Sequence, residues 1–204
     1  MTETQHTGYR QSHQGCGLEY HDRFARNPRR RMMWGIEQTV LDNVLDELRR
    51  EETDQIDYLD FACGTGRVLA FVAARTDSAT GVDVSDSMLE VAATSAPEAE
   101  LISADITRSS SPLRGRSFDL ITAFRFFPNA ETGLRSEAIA ALACCLKPDG
   151  RLVFNNHRCL SSLRHRLVRL LTLGRRGRNG MSRLEVQQLV ESAGLEIESV
   201  EHAG

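Results

Sequence analysis

A glycine-rich turn between a predicted strand and a predicted helix is the part of this sequence best suited to hold a ligand. Residues 56–61 (Ile-Asp-Tyr-Leu-Asp-Phe) predict a short strand, residues 68–74 predict a helix, and Gly64 and Gly66 lie between them. Glycines permit a tight turn and a close approach of the backbone to a ligand. The first amide groups of a helix carry partial positive charge, which suits a carboxylate or a phosphate. The turn therefore predicts a site for a ligand with a small anionic group, although an ordinary strand-to-helix turn is the alternative.

The spacing of the glycines indicates which ligands fit this turn. A dinucleotide-binding fingerprint needs a third glycine three residues after Gly66, and Leu69 occupies that position. A pyrophosphate ligand is therefore disfavoured, and with it an NAD-dependent oxidoreductase.

Two acidic residues follow the next two predicted strands. Asp83 ends the strand predicted at residues 79–83, where an acid typically accepts the hydroxyl groups of a ribose. Its alternative role is to cap the following helix, but Ser85 can fill that position. Asp105 follows the strand predicted at residues 101–103 and can accept an exocyclic N–H of adenine. Together with the glycine turn, this pair favours a nucleoside ligand.

Predicted strands and predicted helices alternate along the chain and would position the glycine turn and the two aspartates. This alternation predicts an α/β fold with a doubly wound, Rossmann-like and mostly parallel sheet. A first helix is predicted over residues 30–50, with an apolar stripe from Met33 to Leu48. A capping box at Ser182 starts a late helix that Gly194 ends. Residues 147–150 (Lys-Pro-Asp-Gly) predict a turn. The predicted strands are residues 56–61, 79–83, 101–103, 118–124, 151–155 and 195–200, and the other predicted helices are residues 68–74, a helix opened by Ser85, 137–146 and 160–173.

Composition restricts the class of protein. The net charge of −3 lacks the basic excess of most nucleic-acid-binding proteins. The five cysteines show no disulfide framework and no zinc-ligand spacing, so we expect no metal and a cytoplasmic location. No apolar run reaches the roughly 18 residues that a membrane span needs, and we expect no stable membrane association. Nothing in the sequence indicates an oligomeric state.

At this point the sequence resembles a known family. Residues 59–67 (Leu-Asp-Phe-Ala-Cys-Gly-Thr-Gly-Arg) resemble the signature loop of class I S-adenosylmethionine-dependent methyltransferases. Four later segments resemble later motifs of that family in the same order: residues 81–85, 104–106, 117–121 and 146–152. The resemblance covers about residues 56–200 and implies S-adenosylmethionine as the cofactor. It divides the chain into a flexible N-terminal segment and cap at residues 1–29 and a methyltransferase domain at residues 30–204.

The resemblance assigns one group of residues to the methionine part of the cofactor. The backbone of Gly64, Thr65 and Gly66, together with Arg67, would hold the carboxylate. Asp60 would lie near the amino group, directly or through water.

A second group is implied for the adenosine part. Asp83 would hold the ribose hydroxyls, and Val84 and Met88 would lie against the adenine. Asp105 would accept from the adenine amino group, with the Ile106 backbone beside it.

The remaining candidates concern catalysis and the acceptor. Phe124 would lie near the sulfonium, with plain packing as its alternative. His157 and His21 are candidates for a general base, which is needed only if the acceptor is protonated at neutral pH, and either can instead be a structural hydrogen-bonding residue. Arg125 lies between aromatic residues at the predicted substrate rim, which suggests recognition of a polar or anionic acceptor, with a surface ion pair as the alternative.

The acceptor class is therefore a small or medium polar molecule methylated at oxygen or nitrogen. The basic segment at residues 158–178 is interpreted as a helix with a solvated basic face, with binding of an acidic substrate or an anionic membrane as alternatives. Three rival functions stay open: a non-catalytic cofactor-binding protein, an RNA methyltransferase and an NAD-dependent oxidoreductase. The family's sheet also has a last strand between the fifth and sixth, for which the sequence up to Gly204 offers no candidate.

Overall fold

A computed structural model describes residues 27–51, 55–108, 111–156 and 180–201. These ranges contain five helices and five strands. In chain order they are α1 (Pro28–Arg50), β1 (Asp57–Phe61), α2 (Arg67–Ala73), β2 (Ser78–Asp83), α3 (Asp86–Ser95), β3 (Glu100–Ser103), β4 (Phe118–Ala123), α4 (Thr132–Ala143), β5 (Leu146–Phe154) and α5 (Arg183–Ser192).

The five strands form one parallel sheet with the order β3-β2-β1-β4-β5. All strands run the same way, so their carboxyl ends meet at one edge. The chain moves outward from β1 through β2 to β3 and then returns to the other side of β1 with β4. This reversal beside β1 is the switch point at which α/β sheets of this type bind ligands. The predicted α/β, doubly wound fold is confirmed.

Alternate residues of the central strands supply two hydrophobic cores, one on each face of the sheet. Tyr58 and Leu120 pack with α1 and α2, whereas Leu59 and Ile121 pack on the face that α4 and α5 cover. All four side chains have no exposed surface. A parallel sheet covered on both faces needs such continuous burial, which explains the apolar runs in the sequence.

Helix α1 is confirmed, and it begins at Pro28, two residues before the prediction. Asn27 caps it, because its side chain accepts a hydrogen bond from the Arg30 amide at 3.3 Å. The apolar stripe is rotated from the predicted one: Leu41, Leu45 and Leu48 are buried. These leucines lie four and three residues apart and face α2 and the sheet.

Two predictions near β5 were wrong. Residues 147–150 do not form a turn before the strand but lie inside β5, at an irregularity where Phe118 pairs with Leu146 and Leu120 pairs with Arg151. A Cβ at Gly150 would lie 2.8 Å from the Phe118 carbonyl oxygen, so this irregular pairing requires glycine. Helix α4 also begins at Thr132, five residues before the predicted start, and ends at Ala143, before the predicted end.

The predicted strand at residues 195–200 is not present. Gly194 ends α5 with a φ of +72°, as predicted, and the Ser182 capping box is also confirmed. The residues that follow make no ladder pairing, and Ile197 and Val200 are exposed by 44% and 63%. Among the described residues no sheet surface covers these two side chains, and packing on such a surface is the main stabilisation of a strand.

Candidate cofactor site

The loop between β1 and α2 is built from backbone conformations that favour glycine. Gly64 and Gly66 have φ values of +55° and +77°, and Ala62 has a φ of +54°. The Gly66 amide donates to the Cys63 carbonyl at 3.0 Å, which closes the turn at the point where α2 begins. A Cβ at Gly64 would meet no described atom within 4 Å, so the backbone there is open to a ligand. These observations support the predicted ligand-binding turn.

Gly66 also permits close packing between two helices. A Cβ at this position would lie 3.0 Å from both the Cα and the Cβ of Ala92 in α3. The start of α2 therefore lies directly against α3, and a side chain at position 66 would require one of the two to shift.

Asp83 connects this loop to the end of β2. Its Oδ2 accepts a hydrogen bond from the Gly64 amide at 2.9 Å, and its Oδ1 accepts one from the Ser85 amide at 3.0 Å. The ribose-binding role of Asp83 stays a prediction. Ser85 is the N-cap of α3, as the sequence predicts. The acid and the glycine turn that the sequence pairs are therefore in direct contact.

Asp60 is a buried carboxyl group beneath the same loop, with 2% of its surface exposed. Thr122 donates to Asp60 Oδ1 at 2.7 Å, and the Tyr58 hydroxyl lies 2.6 Å from the Thr122 oxygen. Because Thr122 has one hydroxyl proton and gives it to Asp60, Tyr58 donates to Thr122, and the three groups form an ordered chain. Asp60 Oδ2 is buried and accepts no hydrogen bond within the described ranges.

Burial raises the pKa of Asp60 from 3.8 to about 7, against the opposing effects of the Thr122 hydrogen bond and the Arg67 charge. In the unfolded chain the group ionises near its ordinary value, so the folded state binds the extra proton between about pH 4 and pH 7. The free energy of unfolding contributed by this group is therefore highest below pH 4, falls as the pH rises, and is constant above about pH 7.

We predict that the wild-type protein without ligand loses roughly 2 kcal/mol of stability from this group between pH 5 and pH 7. Asp60→Asn should remove most of that loss, because the amide oxygen still accepts from Thr122 and carries no charge to bury. Urea unfolding of both proteins at pH 5 and pH 7 measures the difference. Equal pH dependence in the two proteins would show that Asp60 is already ionised at pH 5.

Arg67, the first residue of α2, is 20% exposed and is held by α1. Its guanidinium lies 3.3 Å from Glu37 Oε2 and 3.9 Å from the centre of the Trp34 ring. Trp34 in turn makes an edge contact with Phe71 of α2. The guanidinium is therefore already beside a carboxylate, so a role with the methionine carboxylate requires that Arg67 serve both groups or exchange one for the other. That role stays a prediction.

The adenine-side candidates have different degrees of exposure. Val84 is exposed by 37%, which leaves an apolar surface beside Asp83, whereas Met88 is exposed by 1% and has almost no surface left for a ligand. Asp105 accepts from the amide and hydroxyl of Thr107 at 3.1 and 2.6 Å, so it also fixes its own loop. The Ile106 side chain is buried in the core. All four assignments stay predictions.

Arg125 adopts a left-handed conformation after β4, with a φ of +65°. Its amide donates to Asn155 Oδ1 at 2.7 Å, and its carbonyl accepts from Asn129 Nδ2 at 2.5 Å. Phe124 packs toward the core on the α1 side of the sheet. Phe126 is buried in the core of the opposite face. The chain therefore changes sides at Arg125, at the carboxyl edge.

Several candidates lie outside the described residues. These are His157, His21 and the predicted basic helix at residues 160–173, together with most of the N-terminal segment at residues 1–29. Sequence reasoning also missed two residues of the described site, Glu37 and Asn155. The available signal for Asn155 was a polar residue directly after β5, at the carboxyl edge of the sheet. For Glu37 the sequence offered no signal beyond its place on the inner side of α1.

The comparisons with known proteins agree with this geometry. Residues 59–150, which include β1, the glycine loop and Asp83, match a family model described as "Methyltransferase domain". The matched segment carries a methyltransferase domain, in agreement with the resemblance to class I S-adenosylmethionine-dependent methyltransferases. No curated protein matches the sequence of the chain significantly.

Solved methyltransferase structures have the same fold. Magnesium protoporphyrin IX methyltransferase (ChlM) from Synechocystis PCC 6803, solved with bound SAH, has a TM-score of 0.67 at 18% identity, over 90% of this chain and 87% of that one. CalS10, an amino pentose methyltransferase from Micromonospora echinaspora solved with bound SAM, has a TM-score of 0.52 at 27% identity. That match covers 67% of this chain and 54% of CalS10, so this chain spans about half of the length of CalS10.

Two further properties concern the described part of the chain. No described helix combines the length and the apolar character that crossing a membrane requires. Within the same residues, no group of three or more histidine, cysteine, aspartate or glutamate side chains is arranged to hold a metal ion.

Proposed function

We propose that this methyltransferase transfers a methyl group from S-adenosylmethionine to an oxygen or nitrogen atom of a small or medium polar acceptor. The observation that carries the proposal is the hydrogen bond between Asp83 and the Gly64 amide. It places a carboxylate, an open glycine backbone and the start of α2 together at the switch point beside β1, where a nucleoside with a small charged tail fits.

The described residues suit the two ends of this cofactor. Asp83 and the exposed face of Val84 would bind the ribose and the adenine, and Asp105 would lie beyond them. The open space beside Gly64 would accommodate the carboxylate, and buried Asp60 would lie near the ammonium. A neighbouring positive charge would favour the ionised form of Asp60, so cofactor binding near pH 7 would release part of a proton to solvent.

When bound, S-adenosylmethionine supplies a methyl group on a sulfonium that is already a good leaving group. The protein then needs mainly to hold the acceptor in line with that methyl group and to exclude competing water. Arg125 stands at the carboxyl edge, where it would bind a polar or anionic group of the acceptor. His157 would take the acceptor's proton where one must be removed.

The likeness to CalS10 suggests which acceptors to test first. That protein acts on an amino pentose, and an amino sugar combines a nucleophilic nitrogen with the polar hydroxyls that a rim arginine can bind. Amino sugars and other polyhydroxylated small molecules are therefore the first class for an activity screen.

The test is a transfer assay with methyl-labelled S-adenosylmethionine, the purified protein, and separate pools of amino sugars, other small metabolites and RNA. We expect label in a small-molecule product that mass spectrometry identifies, and none with Asp83→Ala. Label in RNA alone would replace the proposal with an RNA methyltransferase. Tight cofactor binding without product from any pool would favour a non-catalytic cofactor-binding protein, and a preference for NAD over SAH in calorimetry would favour an oxidoreductase.

A further inference from the structure

Arg125 is held in an unfavourable backbone conformation by two side chains. A left-handed φ costs a residue other than glycine roughly 1–2 kcal/mol. The Arg125 amide is bound by Asn155, and its carbonyl is bound by Asn129. Such strain persists where surrounding contacts determine the conformation, and it is concentrated at functional sites. The two asparagines therefore fix the direction in which the chain leaves β4.

Asn155 can bind the Arg125 amide only if its side-chain amide has one particular orientation. Its Oδ1 must face Arg125, so its Nδ2 must face a group that accepts a hydrogen bond. That group is Glu37, whose Oε1 accepts from Asn155 Nδ2 at 2.7 Å. An ionised carboxylate only accepts hydrogen bonds, and Glu37 therefore excludes the reversed amide orientation.

Glu37 joins two parts of the site that are distant in the sequence. Its side chain is 6% exposed and lies on α1, 118 residues before Asn155. One carboxylate oxygen faces Asn155 and the rim at Arg125, and the other lies 3.3 Å from Arg67 at the start of α2. One buried side chain therefore contacts both Arg67, which directly follows the cofactor loop (residues 62–66), and Asn155, which supports the acceptor rim, the carboxyl edge at Arg125.

We infer that Glu37 is a positioning residue, which fixes the Asn155 amide and through it the backbone of Arg125, so that the acceptor rim is held in register with the cofactor loop. The part of this inference that concerns the acceptor rests on the proposed function. The part that concerns the backbone does not.

Two substitutions separate the roles of Glu37. Glu37→Gln removes the charge beside Arg67 but keeps an oxygen that accepts from Asn155, whereas Glu37→Met removes both. We expect Glu37→Met to speed hydrogen exchange of the Arg125 amide by at least about 10-fold relative to the Ile121 amide in β4, as for the loss of one hydrogen bond. Glu37→Gln should stay within about three-fold of wild type, and Glu47→Met, at an exposed position of α1, is the matched control.

Asn155→Ala provides a second route to the same result. It should speed exchange of the Arg125 amide as Glu37→Met does, and combining the two changes should add little, because both break one chain of contacts. Unchanged Arg125 exchange in Glu37→Met, or fully additive effects, would overturn the inference. These measurements need neither cofactor nor acceptor, so they decide the backbone part even if the proposed function fails.

With an acceptor in hand, the kinetics test the second part. Glu37→Met should raise the acceptor KM by at least about 10-fold. Glu37→Gln should leave the acceptor KM near the wild-type value. The KM for S-adenosylmethionine should change less than about three-fold in both. A change confined to the S-adenosylmethionine KM would overturn this part and assign Glu37 to the cofactor loop alone.

Discussion

Asp83→Ala is expected to lower the affinity for S-adenosylhomocysteine by at least about 100-fold, or roughly 2.7 kcal/mol. The substitution removes the predicted partner of two ribose hydroxyls, and a hydrogen bond to a charged group is worth roughly 1.5–3 kcal/mol. It also removes the acceptor of the Gly64 and Ser85 amides, which loosens the loop that the ligand contacts. Isothermal titration calorimetry of the wild type and the variant measures the loss.

Two controls distinguish binding from folding in this experiment. Asp83→Asn keeps one acceptor oxygen and should lose less affinity than the alanine variant. Glu90→Ala, at an exposed position of the neighbouring helix α3, should bind like wild type. A folded Asp83→Ala protein with wild-type affinity would remove Asp83 from the cofactor site.

Gly66→Ala is expected to destabilise the fold by about 2–5 kcal/mol. The left-handed conformation at φ +77° costs alanine roughly 1–2 kcal/mol. The added Cβ would also lie 3.0 Å from the Ala92 backbone and side chain, and overpacking of this kind costs typically 1–3 kcal/mol. Urea unfolding measures the change.

Gly35→Ala is the matched control, because it makes the same chemical change where neither cost applies. Gly35 lies inside α1, and its added Cβ would meet no described atom within 4 Å. Alanine in a helix interior is more stable than glycine by roughly 0.5–1 kcal/mol, so this variant should be slightly more stable than wild type. Equal effects of the two substitutions would show that Gly66 is not constrained by the fold.

The fold and the cofactor loop could be predicted because their signals are local. Alternation of apolar runs with helical periods specifies a parallel sheet, and Gly64, Gly66 and Asp83 occupy positions that the strand ends dictate. Their direct contact, from Asp83 Oδ2 to the Gly64 amide, follows from the pairing of β1 with β2. Short-range rules suffice wherever neighbouring elements are also neighbours in the sequence.

The support of the acceptor rim could not be predicted, because it depends on contacts between distant segments. Glu37 and Asn155 meet only after α1 packs on the sheet beside β5, and no periodicity encodes that pairing. The prediction for the Lys-Pro-Asp-Gly segment was wrong for a related reason. Its residues lie inside β5, where the pairing of β5 with β4 is irregular between Phe118 and Leu120. The predicted strand after Gly194 was apolar enough, but burial depends on a partner surface that the described residues lack.

Asp60 illustrates a property that only the folded structure reveals. Its position in the loop motif indicates a ligand contact, but the rise of its pKa to about 7 results from burial in the fold, which outweighs the lowering effect of the Thr122 hydrogen bond. The same burial makes the carboxyl group costly to ionise without a ligand and well placed to respond to a positively charged one.

A crystal structure with S-adenosylhomocysteine bound tests the central claim most directly. The account predicts both ribose hydroxyls within hydrogen-bond distance of the Asp83 carboxylate, with the amino-acid end of the ligand lying over Gly64 and Gly66. A ligand bound with its ribose elsewhere, or an Asp83 carboxylate that contacts only the loop amides at saturating ligand, would contradict it.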